Sequence, residues 1–217
     1  MTTPPILEIG KQPGDPLNLK HFLLLPANSP FGNLALKYLK VFQRLDHANH
    51  TILKVYAQHA TLRADPESPF ISSHLFLQEE VIYWLRQSSD ELISLTSVLN
   101  EWQRTGICPE HVPMDCIGAL IVEEGSNQHA QSFEFLATLN NVSNAYKHSF
   151  INTQLSLVGA EEPVVYALGL KRNKLSNTPS LYQVPFASLI SGFNVFFASI
   201  IQELKACPLP HQSPVQS

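Results

Sequence analysis

Hydrophobic positions recurring every three or four residues divide the chain into four long helices. Leu34, Tyr38, Val41, Leu45, Ala48, Ile52 and Val55 trace the first, from a cap at Ser29-Pro30 to about Arg63. The run Ala64-Asp65-Pro66-Glu67-Ser68-Pro69 ends it. The second starts near Ser72-Ser73 and carries Val81, Leu85, Ser88, Leu92, Leu95, Leu99 and Trp102. Those alternating steps of four and three predict a near-antiparallel partner, for which the first helix is the obvious choice. Gly106 closes it. Between Ile107 and Gln128, Pro109, Pro113, Gly118 and Gly125 leave room only for a short helical piece near Asp115 to Val122. The third long helix spans Gln131 to Thr153, with Phe135, Leu139, Val142, Tyr146 and Phe150 on its apolar face.

The period then changes. Pro163 to Leu170 and Leu181 to Val184 read as strands, and Lys171 to Ser180 reads as a long hairpin loop. The last helix begins at Pro185 and is apolar around much of its girth, through Phe186, Leu189, Phe193, Phe196, Phe197, Ile200 and Leu204. That composition places it at the centre of a bundle. The expected fold is mostly α: four main helices over 29–206 with a β-hairpin before the last. A proline-rich arm over 1–28 precedes the bundle, and a polar tail over 207–217 follows it. In the arm, Ile6-Leu7 and Phe22-Leu23-Leu24-Leu25 can pack as extended pieces against the body.

The third helix departs from this pattern in its polar residues. Asn140, Asn141 and Asn144 weaken a helix, since asparagine competes for backbone hydrogen bonds. At about 100° per residue, Asn141, Asn144 and His148 fall within roughly 60° of one another, opposite the apolar face and beside Lys147. A histidine titrating near neutrality can take and return a proton, amides can orient a hydroxyl or phosphate, and lysine can offset phosphate charge. The same residues suit helix–helix hydrogen bonds or a solvated face, which is the more common meaning of such a pattern. The densest basic run, Lys171-Arg172-Asn173-Lys174, follows one strand later and can lie near the end of that helix. Lys171, Arg172 and Lys174 are therefore candidate phosphate contacts, with a solvated turn as the alternative.

Composition narrows the rest. A net charge of −4 provides no global attraction for nucleic acid, so any such contact needs a local basic patch. Three scattered cysteines make neither a disulfide framework nor a zinc site. His47 and His50 beside Asp46 have metal-compatible spacing, but no Glu-x-x-His repeat accompanies them, and no metal or other cofactor is expected. Phosphate-loop, nucleophile-elbow and zinc-protease motifs do not occur. No charged-then-apolar leader opens the sequence, and the densest apolar segment, Phe193 to Ile201, is too short to span a bilayer. A cytoplasmic protein without membrane contact is expected.

The segment Leu139-Asn140-Asn141-Val142-Ser143-Asn144-Ala145-Tyr146-Lys147-His148-Ser149, set in a helical bundle, resembles the HEPN superfamily, in particular its bacterial helical-bundle members. The resemblance covers Ser29 to Lys205 in outline and about ten residues in sequence. It implies an all-α bundle that pairs into a homodimer and, in active members, a metal-independent endoribonuclease, in a defence or toxin–antitoxin setting. The family site carries an arginine, four to six intervening residues, and then a histidine. Here the histidine is His148, and the matching positions hold Asn141, Val142 and Ser143, none an arginine. Arg86 and Arg172, of the same or the other subunit, are possible substitutes. In the enzymatic reading His148 exchanges the proton, Asn141 and Asn144 position the phosphate, and Lys147 offsets its charge. RNA or a nucleotide is then the partner. The competing reading is a non-catalytic interaction or scaffold module acting on an unidentified protein partner.

Overall fold

The computed structural model describes residues 3–9, 23–123, 132–151 and 160–207. Two long helices, α1 (Leu34–Ala64) and α2 (Ile71–Thr105), form the largest helix–helix seam. They are antiparallel: Arg44 pairs with Glu91, His47 with Glu80, and the His59 ring faces that of His74, so one index rises as the other falls. All seven apolar positions predicted for α1 are buried, as are Val81, Leu85, Ser88, Leu92, Leu95 and Leu99 of α2. The α1 cap lies later than expected. Asn33 Oδ1 accepts from Leu36 N at 2.9 Å, while Ser29 and Gly32 close a turn with Pro30 inside it. Proline suits the second position of such a turn as well as it suits the first turn of a helix. Gly106 ends α2 in the left-handed conformation, with φ at 74°.

A short α3 (Ile117–Glu123) leads to α4 (Phe133–His148). Strands β1 (Val164–Gly169) and β2 (Ser180–Pro185) pair antiparallel, with Ala167 opposite Tyr182, and α5 (Phe186–Ala206) follows. The described residues are thus mostly helical, with the hairpin before the last helix. Nine side chains of α5 are buried, including Phe186, Phe193, Phe196 and Phe197. Each contributes roughly 1.5–3 kcal/mol relative to exposure. By length and composition alone this 21-residue helix is long and apolar enough to cross a membrane. Here it forms the bundle core. Helix α4 meets it at Gly192, where a Cβ would fall 2.6 Å from the Phe135 ring.

The first described segment is fixed by two asparagines. Asn49 of α1 accepts from Leu7 N at 2.7 Å and donates to Leu7 O at 3.1 Å. Asn194 of α5 accepts from Glu8 N at 2.8 Å and donates to Ile6 O at 3.0 Å. Leu7 and Ile9 are fully buried as a result. Leu23 and Leu25 pack against the core, whereas Leu24 is exposed and Phe22 lies outside the described residues.

Candidate functional site

Helix α4 stops sooner than its apolar spacing predicts. Ser149 is extended, and Phe150, expected on the buried face, is 92% exposed beyond the helix end. Gln131 and Thr153 lie outside the described residues. The end is set by the hairpin. Tyr146 Oη donates to Tyr166 O at 3.0 Å, and Leu170 N donates to Ser149 Oγ at 3.1 Å. Asn173 then takes the place of a further helical turn: its Nδ2 donates to His148 O at 2.7 Å, and its Oδ1 accepts from Phe150 N at 2.8 Å. The two residues at this junction, Arg172 and Asn173, have left-handed backbones with φ of 56° and 51°. For arginine that conformation is costly and is held by its surroundings.

The junction creates a cleft of about 810 Å³ between the outer face of α4 and the hairpin. Asn141, Asn144 and His148 line one side, and Lys171, Arg172, Asn177 and Tyr182 line the other. No acidic side chain lines it among the described residues. The predicted polar face and the predicted basic run therefore meet in one cavity, although His148 and Lys171 lie 23 positions apart in the sequence. Asn141, Asn144 and His148 are all exposed, so proton exchange with a bound ligand is sterically open at His148. The negative end of α4 points toward the same region. Asn173 satisfies one of its terminal carbonyls, and Lys171 and Arg172 stand beside it.

Two expected members lie elsewhere. Lys147 faces away from His148: its ammonium stands 5.6 Å above the Tyr83 ring, in a second pocket with Phe76, Glu79, Trp84 and Tyr146. One residue along a helix is a rotation of about 100°, which carries it around the cylinder. In that second pocket burial raises the Glu79 pKa, and burial together with the negative charge of Glu79 raises that of Tyr146. Lys174 is exposed on the loop and does not line the cleft.

Arg86 reaches the site indirectly. Buried on α2, it forms a two-pronged pair with Asp90, its Nε 3.0 and 2.8 Å from the two carboxylate oxygens. Its Nη1 also donates to Asn140 Oδ1, and the same oxygen accepts from Asn144 Nδ2 at 3.3 Å. Asn140 therefore joins the polar cluster to the bundle, a role that helical angles alone do not assign to it. Asn173 and Tyr182 were likewise absent from the sequence-based candidates. Their positions depend on hairpin pairing and on the end of α4. The left-handed preference of asparagine in a turn was the available signal for Asn173.

His47 and His50 do not converge on a common point. His47 Nε2 lies 2.6 Å from Glu80, and His50 Nδ1 lies 2.9 Å from the carbonyl of Asp46. Among the described residues no group of three or more His, Cys, Asp or Glu side chains is arranged to hold a metal ion. No protein-family model, curated protein or solved structure matches the chain.

Proposed function

We propose that the chain is a HEPN-like protein that binds RNA in the cleft between α4 and the hairpin, with His148 as the proton-transfer group of a metal-independent cleavage. The supporting observation is the convergence of His148, Asn141 and Asn144 with Lys171 and Arg172 around a cavity that no acidic side chain lines among the described residues. Cations and amides without a carboxylate suit a phosphodiester. In this reading His148 removes the ribose 2′-hydroxyl proton or protonates the leaving oxygen. Asn141 and Asn144 orient the phosphate, and Arg172 with Lys171 supplies the charge that the family's arginine would provide. Lys147 has no part in this version, because it stands over Tyr83. The homodimer belongs to the same proposal. Phe150 and Leu175, 92% and 91% exposed near the cleft loop, offer it an apolar contact.

A non-catalytic reading draws on one observation: Asn144 spends part of its amide on Asn140, itself held by Arg86. The cluster then serves as bundle structure with a binding face. Incubating the purified chain and its His148→Ala variant with mixed cellular RNA in EDTA separates the two. Cleavage lost in the folded variant supports the enzyme. Cleavage of equal rate in both removes His148 from the chemistry, and none in either leaves only the binding reading.

A further inference from the structure

The cleft is graded along its length. Asn141 to His148 covers about 10 Å of helix face. At the His148 end stand Lys171 and Arg172, fixed there by the bonds from Asn173 to His148 O and Phe150 N. Away from that end the lining is uncharged. Beside Gly169, level with Ala145, lies Tyr182, the one phenol ring lining the cleft among the described residues.

Gly169 fixes the placement of the Tyr182 ring. A Cβ at Gly169 would come 3.0 Å from Tyr182 Cε2 and 3.8 Å from the Ala145 Cβ. The ring therefore lies against bare backbone, level with Ala145 and one turn before His148. Asn141 makes no side-chain hydrogen bond among those described, and Asn144 spends its Nδ2 on Asn140, so amide groups lining the same cleft remain open to a ligand. The cavity is many times larger than a single phosphate requires and falls within the size range of small-molecule and cofactor sites.

We infer that the cleft takes a nucleotide unit with its phosphate toward Lys171, Arg172 and His148 and its base stacked on Tyr182, which makes Tyr182 a determinant of affinity for unpaired RNA. This rests on the phosphate-binding reading of the cleft and adds the base to it. Every base has a π-face, so stacking confers affinity without choosing a sequence. It also favours single-stranded over paired RNA, whose bases are already stacked. The competing role for the ring is to cover Gly169, as aromatics do for glycine in strands. That role requires no ligand.

Calorimetry at one fixed salt concentration, with 5′-AMP and ribose 5-phosphate as probes, distinguishes them. Wild type is expected to bind 5′-AMP at least about 5-fold more tightly than ribose 5-phosphate, the lower end of what stacking one base supplies. Tyr182→Phe keeps that preference. Tyr182→Leu abolishes it while leaving ribose 5-phosphate affinity unchanged. Upfield shifts of the adenine protons on binding to wild type report stacking even if the leucine variant fails to fold. Equal affinity for the two probes, or absence of the upfield shift, overturns the base platform and leaves the phosphate site standing. Persistence of the preference in a folded Tyr182→Leu overturns it as well. Failure of both probes to bind contradicts the phosphate reading, and the base platform falls with it.

Discussion

Arg172 and Asn173 hold left-handed backbones in return for the shape of the cleft. An L-residue there costs roughly 1–2 kcal/mol, and glycine does not incur that cost. Arg172→Gly is expected to leave stability unchanged or raise it by up to about 1 kcal/mol, since glycine's larger unfolded-state entropy offsets part of the gain. If the cleft binds RNA as proposed, the same variant should weaken that binding and lower the slope of affinity against salt by about one. Urea unfolding and titrations at several salt concentrations measure both effects, and a variant that loses stability and binding together would point to a purely structural arginine. Asn173→Ala works in the opposite sense. It removes two hydrogen bonds at the end of α4 and places alanine at positive φ, so denaturation should register a loss of about 1–3 kcal/mol. The candidates Asn141, Asn144 and His148 were legible because helical angle alone puts them on one face. Asn173 and Tyr182 were not, because their roles depend on where the hairpin lands.

At the scale of elements, the apolar period located α1, α2, α4, α5 and the hairpin, because buried stripes repeat at the backbone's own pitch. It misplaced ends, where single hydrogen bonds decide. Asn33, two residues beyond Gly32's neighbour in the Ser29–Gly32 turn, caps α1, and Ser149 and Asn173 terminate α4 before Phe150. The α4–α5 contact has little slack. Gly192→Ala would bring a Cβ to 2.6 Å from the Phe135 ring, and overpacking of this kind costs about 1–3 kcal/mol. An unchanged urea midpoint in that variant would contradict the contact. The α1–α2 seam carries a pH dependence. Burial lowers the His74 pKa to about 4, helped by neighbouring His59 and partly opposed by a hydrogen bond to the backbone of Val55. Burial and Arg63 lower that of His59. Unfolding lets both rings return to about 6.5. The unfolded state therefore binds more protons than the folded one between about 4 and 6.5 at His74, and His59 adds in the same sense. The stability this provides is complete above about pH 6.5 and is lost as pH falls toward 4. Melting temperature should decline through that window, and His74→Leu should flatten the decline. An equally steep decline in that variant would place the titration elsewhere.

For the whole molecule, a net charge of −4 gives no global attraction for RNA, so the proposed binding has to rest on a cleft that no acidic side chain lines among the described residues. Basic charge is concentrated where the hairpin loop meets α4, away from Lys147 over Tyr83. The exposed Phe150 and Leu175 make pairing testable in the same preparation. Sedimentation should shift toward monomer in Phe150→Ser/Leu175→Ser, and a wild-type chain that is monomeric at all concentrations contradicts the dimer. The proposed binding of RNA in the α4–hairpin cleft can be tested by fluorescence anisotropy with a short single-stranded RNA. Wild type, Lys171→Ser/Arg172→Gly and the control Lys147→Ser would be compared at two salt concentrations. The expected result is salt-sensitive binding that the double variant weakens by roughly 10-fold or more and the control leaves nearly unchanged. Binding that survives the double variant, or that depends instead on Lys147, would contradict this assignment of the cleft.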